Sequence, residues 1–259
     1  MSNLIDPQEL GPMILNVKGV RKAFDDKEVL KGIDLEVYRG QIVALIGSSG
    51  SGKSTLLRSV NLLEEISDGQ ILLNDVDISD PRVNQDEIRR QIGLVFQAYN
   101  LFAHLSILEN ITLALRHVQG LSKEEAKTRA LGLLERIGLA DKANEYPDKL
   151  SGGQQQRTAI MRAVALNPTL LLLDEVTSAL DPELVSEVLE LIRDLKASGT
   201  SILMATHELS FARDVADWVV FLDGGVIIEE GPAKEFFTNP QMPRTIEFLQ
   251  RLRRRAGER

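Results

Sequence analysis

The chain has no cysteine. Disulfides, thiolate metal sites, iron–sulfur clusters and cysteine nucleophiles are therefore excluded together. Histidine is also scarce, with only His104, His117 and His207. No His-rich metal centre is expected, and His104 and His117 read as ordinary polar residues. Aromatic residues make up 5% of the chain, and its single tryptophan, Trp218, is expected in the core. Long hydrophobic runs are missing. The longest are about five residues, as at 42–46, against the ~18 needed to span a bilayer. Residues 1–12 carry Asp6 and Glu9 and lack the basic-then-apolar pattern of a secretory signal, so a cytoplasmic protein is expected. Positive charge is short too. Lys and Arg number 30 against 38 Asp and Glu, a formal net charge of −8. That balance argues against nucleic acid as a partner.

What is present is ordinary globular material. The chain has 259 residues, 43% of them hydrophobic and 26% charged, enough for one large domain or two intimate lobes. Strand-like and helix-like segments alternate, which predicts an α/β fold with a largely parallel sheet. Residues 33–37 alternate apolar and polar, as a half-buried strand does, whereas 42–46 is continuously apolar, as a strand buried on both faces should be. A helix is expected from Lys53, with further strands at 92–96, 170–173, 201–205 and 219–222. Between 106 and 166 the pattern is almost wholly helical. Ser106 with Glu109, and Ser122 with Glu125, have capping-box spacing. Ala126, Ala130, Leu133, Leu134 and Ile137 fall on one helical face. Asp181 followed by Pro182 reads as a cap and a first-turn proline, ahead of a stripe of Leu184, Val188, Leu191, Ile192 and Leu195. A helical insert between two strands of an α/β core is the expected architecture.

Two segments carry chemistry. The string GSSGSGKS at 47–54 fits G-x-x-x-x-G-K-[ST], and it lies between a predicted buried strand and a predicted helix. Glycines at Gly47, Gly50 and Gly52 let the backbone bend so that the N–H groups of Ser48, Ser49, Ser51 and their neighbours converge on phosphate, and the helix N-terminus adds partial positive charge. Lys53 is expected to reach the β- and γ-phosphates, and the Ser54 hydroxyl to bind Mg²⁺. The second segment, LLLLDE at 170–175, is an apolar strand ending in two carboxylates. Successive side chains on a strand point to opposite sides, so Asp174 can face a metal while Glu175 faces an attacking water as base.

A third string, LSGGQ at 150–154, carries the resemblance: the chain resembles the ATP-binding subunits of ABC transporters from about residue 15 to about 249. The resemblance implies a P-loop NTPase (RecA-like) α/β core with an antiparallel β subdomain and an inserted α-helical subdomain. It sets the ATPase domain at 13–250, with the core at 13–97 and 167–250 and the helical subdomain at 98–166, an N-terminal extension at 1–12 and a basic tail at 251–259. It assigns Phe24 to adenine stacking and Gly47, Ser48, Ser49, Gly50, Ser51, Gly52, Lys53, Ser54 and Thr55 to the phosphates. Gln97 contacts metal and water, Asp174 the metal, Glu175 is the catalytic base and His207 meets the γ-phosphate. Glu175, His207, Lys53 and Gln97 form the catalytic set, and Ser54, Gln97 and Asp174 the metal set. Ser151, Gly152, Gly153, Gln154 and Asp181 serve in trans, closing over ATP held by a second copy.

The cofactors implied are ATP and Mg²⁺. The partners implied are a second copy in a head-to-tail, ATP-dependent homodimer, two transmembrane permease subunits and, indirectly, an extracytoplasmic substrate-binding protein. The chain would sit peripherally on the inner face of the cell membrane, with residues 97–106 toward the permease. Within the family it is most similar to importer ATPases for polar amino acids (glutamine/histidine-type), from the segments 100–110, 178–184, 207–217, 237–240 and 244–249. A soluble ABC ATPase of DNA maintenance or translation and an exporter ATPase are the alternatives. The chain departs from the family pattern at Val176 and Ala103, where proline is usual, and at Phe24, often tyrosine. Valine at 176 relaxes a backbone restraint on Glu175, but the carboxylate remains and hydrolysis is expected. The cluster Arg251, Arg253, Arg254 and Arg255 reads as a solvated helix end suited to the helix dipole.

Overall fold

The computed structural model describes residues 11–255. The run at 42–46 forms β3 (Ile42–Ile46), buried at all five positions. Its neighbours explain why no polar alternation survives there. β3 pairs in parallel with β8 (Ile202–Ala205) on one side and β9 (Trp218–Asp223) on the other. Its alternate side chains then enter two different cores. Ile42, Ala44 and Ile46 join one apolar cluster, and Val43 and Leu45 the other. The same division holds in β7 (Leu170–Asp174), where Leu171 and Leu173 face one core and Leu170 and Leu172 the other. A strand covered on both faces has no side left for polar residues.

Around these strands a six-stranded sheet runs in the order β10-β9-β3-β8-β7-β6, with β6 at Ile92–Val95 and β10 at Val226–Pro232. All its pairings are parallel except β9 with β10. A second, antiparallel sheet has the order β2-β1-β4-β5, formed by β1 (Met13–Phe24), β2 (Lys27–Tyr38), β4 (Asp68–Leu73) and β5 (Val76–Asp77). Helix α1 (Lys53–Val60) begins at Lys53 and lies with the antiparallel sheet in the second core, through Leu56, Leu57 and Val60. A short helix, α2 (Gln85–Gln91), leads into β6.

Between β6 and β7 the chain forms α3 (Ile107–His117), α4 (Lys123–Arg136), two single 3₁₀ turns and α5 (Gly152–Val164). Both predicted capping boxes form. Ser106 caps α3 and Ser122 caps α4, with Glu109 and Glu125 reaching back to the cap N–H groups. Hydrogen bonds from the N–H and hydroxyl of Ser106 hold the Glu109 carboxyl below its usual range, and those from the hydroxyl and N–H of Ser122 do the same for Glu125. Ala126, Ala130 and Leu134 are buried along α4 as expected, but Leu133 is only half-buried and Ile137 is already the C-cap. The remaining helices are α6 (Pro182–Ala197), α7 (Leu209–Val215), α8 (Ala233–Thr238) and α9 (Pro243–Arg255). Val188, Leu191, Ile192 and Leu195 of α6 are buried.

Several expectations need correction. The alternation at 33–37 is as expected, but the strand that carries it, β2, begins at Lys27 and ends at Tyr38. Strand β6 stops at Val95 and leaves Phe96 outside it, β8 begins at Ile202 rather than 201, and β9 runs from Trp218 to Asp223. Asp181 occupies the cap position of α6, but its side chain makes no capping hydrogen bond. Trp218 is half-buried at the start of β9, packed against the second core. Arg251 is exposed on α9. The side chains of Arg253, Arg254 and Arg255, and most of the N-terminal extension and basic tail, lie outside the described residues.

Candidate active site

Residues 47–52 connect the C-terminal end of β3 to the N-terminus of α1, where parallel α/β sheets bind ligands. The turn is possible only with glycine at two points. Gly47 has φ +154°, and a Cβ there would collide with the Leu222 carbonyl oxygen of β9. Gly52 has φ +107°, and its Cβ would stand 2.8 Å from Leu30 Cδ2. The loop is therefore pressed against both sheets. Inside it the Ser51 hydroxyl is buried and has no hydrogen-bond partner among the described residues. An orphaned donor in a loop of inward-bending backbone suits an anion that would satisfy it.

Lys53 is 3% exposed. Its Nζ donates to the carbonyls of Gly47 (3.1 Å) and Ser48 (3.3 Å) and lies 3.5 Å from Glu175 Oε1. Burial pushes its pKa down, and the negative charge of Glu175 opposes that. The next residue, Ser54, donates its hydroxyl to Asp174 Oδ1 at 2.7 Å. Asp174 is the buried last residue of β7, and burial raises its pKa while the Ser54 hydrogen bond works the other way. The pair is a hard, oxygen-only donor set, which suits Mg²⁺ with phosphate oxygens and water completing the shell. Among the described residues no cluster of three or more His, Asp or Glu could hold a metal unaided.

Glu175 follows β7 in a left-handed conformation, φ +50°. Such a backbone costs a non-glycine residue about 1–3 kcal/mol. It is held there because its N–H donates to Ala205 of β8 at 3.0 Å and its carbonyl accepts from Ser178 N–H and Oγ. Val176, where proline would oppose such a fold-back, is buried in the first core. The His207 Nε2 lies 2.9 Å from Glu175 Oε1. One carboxylate oxygen thus collects both the lysine and the histidine. Gln97, exposed just beyond β6, lines the same open cleft of about 470 Å³ as Ser49, Lys53, Thr55 and Glu175.

Other predicted residues stand apart from this group. Phe24 ends β1, 41% exposed, with Lys22 Nζ 4.6 Å from its ring centroid. Its cross-strand partner Lys27 lines the cleft. Among the described residues Ser151, Gly152, Gly153, Gln154 and Asp181 do not line the cleft. Ser151 is exposed and caps α5 in a third capping box, accepting from Gln154 N–H at 3.3 Å while Gln154 Oε1 accepts from Ser151 N–H at 3.0 Å. Sequence reasoning passed over Lys27, Val29, Lys31 and Gly224, which also line the cleft. They belong to a β-hairpin and a strand turn without a local motif, and only the tertiary fold brings them to the loop.

The arrangement is a glycine-bent loop suited to an anion, with a buried lysine, a hydroxyl–carboxylate pair suited to a hard metal, and a strained carboxylate beside a histidine. The known proteins agree with it. The family described as ABC transporter matches residues 30–178. The glutamine transport ATP-binding protein GlnQ of Geobacillus stearothermophilus is 48% identical over 233 residues, covering 90% of this chain and 96% of that protein. The L-cystine transport system ATP-binding protein TcyN of Escherichia coli is 51% identical over 243 residues, covering 92% and 97%. Among solved structures, the dimeric post-hydrolysis state of the ATP-binding cassette MJ0796, bound to ADP and phosphate, superimposes with a TM-score of 0.76. It is 33% identical and covers 85% of this chain and 99% of that one. Loop, carboxylate pair and relatives converge: the chain belongs to the ABC transporter family and is one of its ATP-binding subunits, an ATPase of P-loop α/β fold.

Proposed function

We propose that this ATPase drives import of polar amino acids, as one of two copies bound to a pair of transmembrane permease subunits supplied by an extracytoplasmic binding protein. The observation that carries the reading is the similarity to glutamine, arginine, cystine and glutamate transport ATP-binding proteins over nine-tenths of the chain, at 47–51% identity. The DNA-maintenance, translation and exporter alternatives are not favoured by those relatives. Among the described residues no helix is long and apolar enough to cross a membrane, so membrane attachment would come from the permease. The stretch 97–106 fits that contact. It leads from Gln97 to the α3 cap and carries the 42%-exposed Phe102.

In the proposed reaction water attacks the γ-phosphorus of ATP, the bond to the β,γ-bridging oxygen breaks, and ADP and phosphate leave. Lys53 exchanges its contact with Glu175 for the phosphates and offsets their charge. Glu175 then accepts the proton from the water, oriented by His207, while Gln97 holds water and phosphate in line. Mg²⁺, held by Ser54 and Asp174 with Gln97 nearby, would supply charge neutralisation on the phosphates. Phe24 offers its exposed ring to adenine.

Ser151 and its neighbours stand at the N-terminus of α5, a second anion-binding terminus. Their place outside the cleft supports use on a second copy's ATP. Two head-to-tail cassettes would then close with ATP and open after hydrolysis. The test is recovery from native membranes: co-purification of permease subunits, and ATP-dependent amino-acid uptake in vesicles rebuilt from them, is expected. Co-purification of ribosomes or DNA in place of permease would overturn the reading.

A further inference from the structure

A carboxylate that no part of the reaction uses stands against the phosphate loop. Asp223, the last residue of β9, accepts from the Ser48 hydroxyl through Oδ1 at 3.1 Å. Ser48 is the second residue of the loop, and its carbonyl also receives Lys53 Nζ. The orientation of Ser48 therefore bears on the lysine. A negative charge one hydrogen bond from a triphosphate site is unfavourable unless it is neutralised. The neutralising group comes from the far end of the chain. Arg244 Nε on α9 donates to Asp223 Oδ2 at 2.7 Å, and its Nη1 donates to Glu247 Oε2 at 2.8 Å.

The rest of α9 is tied down so that Arg244 arrives at that point. The Glu229 carboxylate of β10 accepts from the N–H groups of Gln241 (2.7 Å) and Met242 (3.0 Å), just before the helix. The Phe248 ring stacks on Phe221 of β9 with centroids 4.6 Å apart. Leu249 is buried in the first core. Arg244 thus stands over a fixed Asp223 whose two oxygens have separate duties, one toward the loop and one toward the cation. Its guanidinium also holds the Asp223 carboxyl below its ordinary pKa.

We infer that Arg244 is a positioning residue for nucleotide binding: by cancelling the charge of Asp223, it lets that carboxylate orient Ser48 without repelling the triphosphate. This rests on the loop being the ATP site, as proposed above. Arg244 does not line the cleft, so its loss is expected to appear in affinity rather than in turnover at saturating ATP.

The experiment measures ATP dissociation constants and ATPase rates for the full chain and for Arg244→Met, Arg244→Lys, Asp223→Asn and the double variant Arg244→Met/Asp223→Asn. Arg244→Met is expected to bind ATP about three- to tenfold more weakly, the loss of a charge-assisted contact discounted for solvent exposure, with kcat changed less than about twofold. Arg244→Lys keeps the charge and retains most of the affinity. The double variant returns to within about twofold of the unmodified chain, because asparagine keeps an oxygen for Ser48 and brings no charge. Should Arg244→Met fail to fold, Arg244→Gln carries the same expectation, keeping a donor without the cation. Unchanged affinity in the single variant, or a double variant no tighter than the single, overturns the inference and leaves the ATPase reading intact. Failure of the unmodified chain to bind ATP overturns both.

Discussion

Replacing Glu175 with glutamine separates two roles that one oxygen atom performs. Oε1 lies 2.9 Å from His207 Nε2 and 3.5 Å from Lys53 Nζ. At that separation two unit charges attract by about 4.7 kcal/mol in an effective dielectric of ~20. Desolvation takes back much of this, and Lys53 keeps its two carbonyl partners. A net loss of about 1.5–3 kcal/mol is therefore expected in the nucleotide-free Glu175→Gln chain, as for a hydrogen bond to a charged group. With ATP the sign changes, because the γ-phosphate supplies the anion that Lys53 has lost. The rise in melting temperature on adding ATP and Mg²⁺ is then larger for the variant than for the unmodified chain. Turnover falls about a hundred- to thousand-fold, as for removal of one stabilising group from an active site. Calorimetry with and without nucleotide, and phosphate release at saturating ATP, check both parts. A variant that is no less stable without nucleotide, or that turns over within about tenfold of the original, would refute the assignment of Glu175.

Three further outcomes follow from the same structure. Gly47→Ala sets a Cβ against the Leu222 carbonyl at φ +154°; a loss of about 2–4 kcal/mol is expected, with loss of ATP binding, read by denaturant melts and equilibrium titration. Ser106→Ala removes the cap of α3 and its reciprocal bonds with Glu109, so the melt is expected to show about 1 kcal/mol of lost stability while ATP affinity is unchanged. Burial raises the Asp174 pKa, so its charge opposes folding at neutral pH and this cost is relieved as pH falls through the raised value. Metal binding needs the carboxylate, so half-saturating Mg²⁺ for ATPase activity is expected to rise as pH falls toward that raised value, by more than the protonation of ATP itself accounts for, while no such excess would contradict the assignment.

Much of the parallel sheet was legible because burial on two faces leaves an uninterrupted apolar run, as in β3 and β7. The caps at Ser106 and Ser122 were legible because a capping box is a local three-residue relation. Strands β1, β4 and β5 gave no comparable periodic signal. β1 pairs with β2 through four register shifts, and each shift breaks the two-residue alternation. The glycine-rich loop was legible as a motif, and it meets the carboxylate pair at the C-terminal ends of β3 and β7. The left-handed backbone of Glu175 was not, since it is imposed by Ala205 and Ser178 rather than by its own side chain. Asp223 and Arg244 are 21 positions apart and share no motif; only the docking of α9 joins them to Ser48.

The central claim is that each copy's Ser151 covers ATP held by the other copy's Lys53. The natural absence of cysteine makes it directly measurable, since introduced thiols are the only ones present. Chains carrying Ser151→Cys are mixed with chains carrying Ser49→Cys, both in the Glu175→Gln background, and treated with a short bifunctional thiol reagent. Crosslinked dimer between the two kinds of chain is expected with ATP and Mg²⁺ and not with ADP. A crosslink yield indifferent to nucleotide, or none with ATP, would contradict it.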